Sequence, residues 1–370
     1  TTGVYFSDNN EADAPTTTFD VSSRTVLHSI SMYAYAQTGV KKIMRIYLAT
    51  KTILIGLMFN LSYVSLTHAN QELTPGVVGS ITSIGSETLS SLMTEWATEF
   101  NRLYPQAKIQ IQTTGSSAAP IAITAGTASL GPMSRPLKPS ERQSFINRFG
   151  YEPTMVTVAI DAIGVFVQES NPLQSLSVDQ LDRLFSATRY CTFGQPINYW
   201  HELLDDSEYS LSDFAKFPEF PVQLFGRNSA SGTYSYFKQK ALCHGDYRNT
   251  VKQLSSSASI IHTVANRMGG IGYASLGSTI PGVKALSIAN GGKEVEVNAK
   301  TVQSGQYPLA RQLYLLVNQS PDKSLAPGVA QFLRYILSQQ GQYIVRQLGY
   351  FPISSNQQQA QLNNLFQTSG

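Results

Sequence analysis

Three times in this chain a strand-like run ends in a Gly/Ser turn that opens a helix-like run. Residues 77–84 lead through Gly85-Ser86-Glu87-Thr88 into an amphipathic stretch over 89–103. The alternating run 108–113 leads through Gly115-Ser116-Ser117 into a helical pattern through Ile123. Residues 222–225 lead through Gly226-Arg227-Asn228-Ser229-Ala230-Ser231-Gly232-Thr233 into a helical pattern over 234–242. Strands alternating with helices imply βαβ units and a mainly parallel sheet. In such a sheet ligands sit beyond the carboxyl ends of the strands, where these turns gather.

The third turn carries the most chemistry. A helix start presents unpaired N–H groups and the positive end of the helix dipole. Ser231, Gly232 and Thr233 place two hydroxyls and several N–H groups there, and glycine lets an anion approach the backbone. Arg227 adds a fixed positive fork. Alone, this string reads most simply as a serine N-cap with a surface arginine. Two more hydroxyl-rich helix starts shift the balance toward a pocket for a tetrahedral oxyanion. None of the three has the Gly-Lys-Ser/Thr ending of a nucleotide P-loop or a G-x-G-x-x-G fingerprint.

The 370 residues suit two domains. From Met44 a basic start, a short apolar run over 53–64 and Leu66-Thr67-His68-Ala69 describe a signal peptide over 44–69, cleaved after Ala69. Met32 is an alternative start. The apolar run falls short of the roughly 20 residues a membrane span needs. Residues 1–43 have no sustained periodicity and are expected to lie outside the functional protein. The chain has 27 basic and 24 acidic residues, and five and four of these precede residue 70. That balance argues against nucleic acid as a partner, which calls for a basic stripe. Two cysteines, Cys191 and Cys243, are most simply one disulfide in an oxidising compartment. No cysteine follows the cleavage site to take a lipid, so the expected location is a Gram-negative periplasm.

Further along, 130–136 reads as a strand, a helix starts at Ser140, and 155–167 is a long apolar strand with Asp161 in its middle. A helix over 178–185, strands over 269–274, 283–288 and 313–317, and a helix over 328–348 complete the pattern. The histidines His201, His244 and His262 have no zinc-ligand spacing. Ser229 and Ser231 lack the G-x-S-x-G elbow of a hydrolase nucleophile. Asp205 and Asp206 sit in a polar loop, and Trp96 and Trp200 read as packing residues. No catalytic constellation, metal site or cofactor is expected.

Several landmarks appear together in order: Gly85-Ser86-Glu87-Thr88-Leu89, Gly115-Ser116-Ser117, Leu130-Gly131-Pro132-Met133-Ser134-Arg135-Pro136 and Arg227 to Thr233. Gly270-Ile271-Gly272-Tyr273, Tyr307-Pro308-Leu309-Ala310-Arg311 and Gln340-Gly341 follow. Across roughly 77–353 the chain resembles the periplasmic phosphate-binding proteins of Pst-type ABC transporters. The resemblance implies an α/β, two-lobed type II periplasmic-binding-protein fold with two hinge-crossing strands and ligand in the interlobe cleft. Lobe one would hold 77–163 and 276–353, lobe two 164–275, and 354–370 would be a flexible tail. The crossings would fall near 160–167 and 270–274, and a Cys191–Cys243 bridge would brace lobe two alone. By the same resemblance, inorganic phosphate would meet Thr88, Leu89, Ser116 and Ser134 from one lobe. Arg227, Ser231, Gly232 and Thr233 would meet it from the other, with Arg227 the single strong cation. Ser86, Asp161 and Arg135 are further candidates. The expected partner is an inner-membrane ABC transporter permease, and the expected state a monomer.

One position departs from the family pattern. Well-known members carry an Asp where this chain has Ser134; that Asp accepts the proton of hydrogen phosphate and repels sulfate. Ser134 offers a lone pair but no charge. Asp161 is a candidate substitute, or else a structural acid. Arg135 either enters the cleft or pairs at the surface. The departure keeps sulfate and molybdate or tungstate open as ligands. A secreted phosphate-ester hydrolase or a surface interaction protein on the same fold is the alternative of another class.

Overall fold

The computed structural model describes residues 79–203 and 220–366; the segment 1–43, the expected signal peptide 44–69, and Asp205 and Asp206 lie outside them. Its central feature is one strand, β4 (Thr154–Gln168), fifteen residues long and buried along most of its length. Both faces are covered, which is why its sequence is almost continuously apolar. Up to Ala162 it pairs antiparallel with β12 (Ala310–Val317), from Val317↔Thr154 to Ala310↔Ala162. From Ile163 onward it pairs antiparallel with β8 (Gly270–Ser275), and Phe166–Gln168 also pair with β9 (Val283–Ala285). The change of partner at Ala162/Ile163 divides the molecule into two lobes.

In the first lobe, β1 (Gly79–Ile84) and β2 (Ala107–Gln112) run parallel. A bridge from Ser83 to Leu130 carries them to β3 (Gly131–Met133), which pairs antiparallel with β12. Helix α1 (Ser90–Leu103) lays Leu92, Met93, Trp96, Ala97 and Phe100 on this core. That spacing is one helical face. Trp96 Nε1 donates to Gly341 O at 2.9 Å, so even the largest core ring has its polar atom paired. On the other face, α2 (Ala118–Ala125) and α3 (Pro139–Phe149) close a smaller core around Ile123, Met133 and Phe145.

In the second lobe the order continues β4, β8, β6 (Gln223–Arg227), β7 (Lys252–Leu254). Helix α4 (Val178–Phe185) follows β5 (Ser175–Ser177), and α5 (Gly232–Ala241) follows β6. Phe237 and Tyr273 stack at the centre of this core, and Phe185 meets both rings edge-on. A further helix, α6 (Ser257–Ala265), covers the opposite face of the sheet with Ile260, Ile261 and Val264.

Four expectations change. Among the described residues parallel pairing is confined to β1–β2, β8–β6–β7 and a short pairing between the segments 175–177 and 287–289, because β4 and β12 enter from the hinge and not through βαβ crossovers. The division expected at 275/276 moves to the start of β12. Strands β9, β10 (Ser287–Asn290) and β11 (Lys293–Val295) and helix α7 (Ala299–Gln303) stay with lobe two. There β10 pairs β5, and Leu286, Ile288, Val302, Tyr307 and Leu309 fill the same core as Val165 and Phe185. The single helix expected over 328–348 breaks into α8 (Pro327–Ile336) and α9 (Gln339–Gln347), with Ser338 capping the second through Gly341 N. The expected flexible tail folds, over Ser355–Phe366, into α10. Its Leu365 is buried, Gln361 accepts from Thr157 N, and Phe366 lies 3.5 Å under the Arg334 guanidinium.

Cys191 and Cys243 form a disulfide within lobe two, across 52 residues. Among the described residues, the four non-glycine positions with left-handed backbone, Arg189, Phe193, Cys243 and His244, all lie within two positions of it. The bridge therefore clamps a locally unfavourable chain path. Closing a loop of this size is worth about 4 kcal/mol on the chain-entropy model. A Cys191→Ser, Cys243→Ser double variant should lose stability up to about that amount in urea unfolding, with the far-UV spectrum retained.

Candidate functional site

The three turns singled out in the sequence meet in one place. Backbone bonds lace two of them together in lobe one: Gly115 N donates to Gly85 O at 2.8 Å, and Ser86 N to Pro132 O at 2.7 Å. Thr88 sits in a short 3₁₀ turn, Glu87–Leu89, ahead of α1, and Tyr350 OH anchors its carbonyl at 2.6 Å. The third turn comes from lobe two, where Ser231 caps α5 by accepting from Thr233 N at 3.1 Å. Gly115 makes the close approach of the lobes feasible. Its φ of +115° suits glycine, and a Cβ there would fall 2.6 Å from Ala230 O. Across that contact Ser117 N donates to Ala230 O at 3.2 Å.

The hydroxyls form a buried cluster. Ser134 Oγ lies 3.0 Å from Ser86 Oγ and 3.1 Å from Ser116 Oγ. Thr88 Oγ1 of lobe one lies 3.1 Å from Thr233 Oγ1 of lobe two. Gly232 fits between them: a Cβ on it would sit 2.4 Å from both Ser116 Oγ and Ser134 Oγ. The structure thus gathers Ser86, Thr88, Ser116, Ser134, Ser231, Gly232 and Thr233, all buried. Leu89 is buried beside them in the Thr88 turn.

Two guanidiniums border this site, where one had been expected: Arg311 bonds the cluster directly, and Arg227 bonds Glu87, the residue between Ser86 and Thr88. Arg227 ends β6, is 1 % exposed, and bonds Glu87, Ser257 Oγ and Ser255 O. Its Nε is buried with no partner. Burial lowers its pKa, an effect that Glu87 opposes and Arg311 reinforces. Arg311, on β12 at the hinge, is the second cation. It donates to Thr233 Oγ1 at 3.0 Å and Ser134 O at 3.2 Å, so it touches site residues of both lobes. The sequence carried Arg311 within a landmark, but no spacing signal marked its side chain as part of the site. Its place follows from the pairing Arg311↔Asp161 between β12 and β4.

That pairing decides what Asp161 does. Asp161 Oδ2 accepts from Arg311 Nε and Nη2 at 3.0 and 2.7 Å, and Oδ1 accepts from Ser275 Oγ at 2.8 Å. Its charge is matched by Arg311, and it reaches the cluster only through that residue. Arg135 is likewise engaged elsewhere. Its two terminal nitrogens grip Glu141 at 2.6 and 2.7 Å, at the start of α3, and the pair is buried on the Arg135 side instead of standing at the surface. Among the described residues no group of three His, Cys, Asp or Glu could hold a metal ion.

A two-lobed α/β molecule whose helix starts, hydroxyls and buried guanidiniums converge between the lobes is a solute-binding protein with an anion cleft. The model of the PBP superfamily domain matches residues 70–340. Phosphate-binding protein PstS of Pseudomonas aeruginosa is 48% identical over 280 residues, covering 75% of this chain and 84% of that protein. The chain belongs to the PBP superfamily and, within it, to the family of the Pst-type phosphate-binding proteins. Two solved structures share the fold. One is an ABC-type phosphate transport receptor from Vibrio cholerae, with TM-score 0.57 and 21% identity, covering 74% of this chain and all of that one (100%). The other is a phosphate-binding protein from Stenotrophomonas maltophilia, with TM-score 0.58 and 13% identity, covering 77% and 93%.

Removing Asp161 would leave Arg311 charged and unmatched at the hinge. Asp161→Ala should therefore destabilise the protein by about 3–5 kcal/mol in denaturant unfolding, as loss of one partner of a buried ion pair does. A loss below about 1 kcal/mol, the range of exposed pairs, would contradict the burial described above.

Proposed function

We propose that the protein captures inorganic phosphate in the cleft between its lobes and delivers it to an inner-membrane ABC transporter permease, without chemical turnover. The observation that carries this reading is Arg227. It is a buried guanidinium with an unpartnered Nε, held by Ser257 Oγ of lobe two and by Glu87 of lobe one, the residue between Ser86 and Thr88. A buried donor on a charged group is costly to leave unpaired, and an oxyanion satisfies it. Thr88, Leu89, Ser116 and Ser134 would hold the anion from lobe one. Arg227, Ser231, Gly232 and Thr233 would hold it from lobe two, where the α5 N-terminus adds its dipole. Arg311 adds a second guanidinium donor from the hinge, its charge matched by Asp161. The relative named Phosphate-binding protein PstS supports phosphate as the ligand. The disulfide suits an oxidising compartment, which the periplasm supplies. The protein would work there as a monomer, exported by the leader at 44–69.

Calorimetric titration with phosphate, sulfate and molybdate tests the reading: heat is expected with phosphate, and tight binding of another anion alone would overturn it. Turnover of a chromogenic phosphate ester would overturn the non-enzymatic part. Arg227→Ala should weaken phosphate binding by about 2–5 kcal/mol, the usual effect of truncating one side of a buried charge contact. Binding within a few-fold of wild type would place the anion elsewhere.

Gly232→Ala tests the closed geometry separately. The added methyl meets two serine hydroxyls of the opposite lobe at 2.4 Å, so the lobes cannot approach as closely. Phosphate affinity should fall at least about tenfold, or 1.4 kcal/mol, with little change in thermal stability, because no core contact is altered.

A further inference from the structure

Arg227 does not stand alone in the cleft. Glu87 Oε2 lies 2.7 Å from its Nη1 and also accepts the backbone N–H of Ser257 at 3.4 Å. Glu87 comes from the turn after β1, whereas Arg227 and Ser257 come from lobe two, so this ion pair crosses the cleft. The arginine is 1 % exposed and the acid 20 %. Glu87 is flanked in the chain by Ser86 and Thr88, whose hydroxyls belong to the buried cluster. Among the described residues, no other carboxylate forms an ion pair with Arg227, and Glu87 Oε1 has no hydrogen-bond partner.

The charges around the cluster cancel. Asp161 matches Arg311 and Glu87 matches Arg227, so an incoming anion meets no excess positive charge. What holds it is then the geometry of its hydrogen bonds. An oxyanion with every oxygen deprotonated would bring one acceptor against another at Glu87, with no proton between them. An oxyanion that retains an O–H can donate it to Oε1. Ser134 lacks the charge to reject the first kind, and both oxygens of Asp161 are already occupied, by Arg311 and Ser275.

We propose that Glu87 is the specificity-determining residue of the cleft, favouring tetrahedral oxyanions that carry a proton over those that carry none. This rests on the phosphate reading above. The interaction is a hydrogen bond from the ligand's O–H to Oε1, and no covalent bond changes. The remaining carboxylate oxygen keeps Arg227 in place, so one side chain both orients the cation and reads the ligand.

The test is calorimetric titration of phosphate and sulfate, near neutral pH, into wild type, Glu87→Gln, Glu87→Ala and Glu87→Asp. The readout is the ratio of the two affinities, since loss of the Arg227 contact shifts both anions together. In Glu87→Gln and Glu87→Ala the preference for phosphate should fall at least about tenfold, chiefly through a gain of sulfate binding. Glu87→Asp keeps a carboxylate and should keep most of the preference, which a merely structural role would not require. A ratio within about twofold of wild type in the folded Gln or Ala variant overturns the proposal. So does a wild type that binds sulfate as well as phosphate, although the phosphate reading then survives. A wild type that binds no phosphate overturns that reading, and this one with it. Thermal melting establishes that each variant is folded; if neither neutral variant folds, Glu87→Asp decides, since loss of its phosphate preference overturns the proposal.

Discussion

Everything in this molecule that bears on binding depends on one strand serving two lobes. Strand β4 gives its first half to β12 and its second half to β8 and β9, and the exchange occurs at Ala162/Ile163. The buried Asp161–Arg311 pair sits one residue before that exchange. An ion pair in such a place adds little net stability, because desolvation offsets most of the attraction. Its geometric consequence is larger. Arg311 is fixed by Asp161, and from there reaches Ser134 of one lobe and Thr233 of the other. The hinge and the binding cluster are therefore one hydrogen-bonded network.

The site cluster is assembled only where the two lobes meet. Neither lobe alone holds the cluster: Thr88, Ser116 and Ser134 belong to one, and Arg227, Ser231 and Thr233 to the other. The close approach depends on small features at the contact, a glycine at 115 under Ala230 O and another at 232 between two serines. It is reinforced by Glu87 on Arg227 and by Ser117 N on Ala230 O. Elements that carry no ligand chemistry hold these turns in place. Tyr273 OH accepts from Arg227 N and donates to Tyr247 OH, which donates to Tyr234 O in the first turn of α5. That chain of hydroxyls ties the end of β6 to the start of α5, so Arg227 and the α5 N-terminus keep a fixed separation. Burial raises the pKa of both tyrosines, which keeps them neutral donors.

Local pattern made a good part of this legible. The helix over 178–185 is present with the expected bounds, because its apolar face and its Ser177 cap are both written within a dozen residues. The Ser231 cap was legible for the same reason. What local pattern could not carry was partner choice. The run 328–348 is apolar at helical spacing throughout, yet packing turns the chain at Leu337 and Ser338. The Gln/Asn-rich segment after Ser354 looks solvated on composition, yet Leu365 and Phe366 find a core surface to cover. The stretch 276–309, expected in lobe one from a crossing at β8, packs with lobe two, and the chain returns to lobe one only at β12.

The sequence by itself determined the α/β class, the hydroxyl-rich turns with Arg227 beside one of them, and the cysteine pair. Each of these is set by residues close together in the chain or by composition, so no long-range contact is needed to see it. The tertiary structure decided which charges face which. Asp161 lies 150 positions from the arginine that neutralises it, and Glu87 lies on a different lobe from Arg227. A carboxylate's role depends on the nearest cation once water is excluded. That neighbour is chosen by strand register and lobe closure, which no local pattern in the chain encodes.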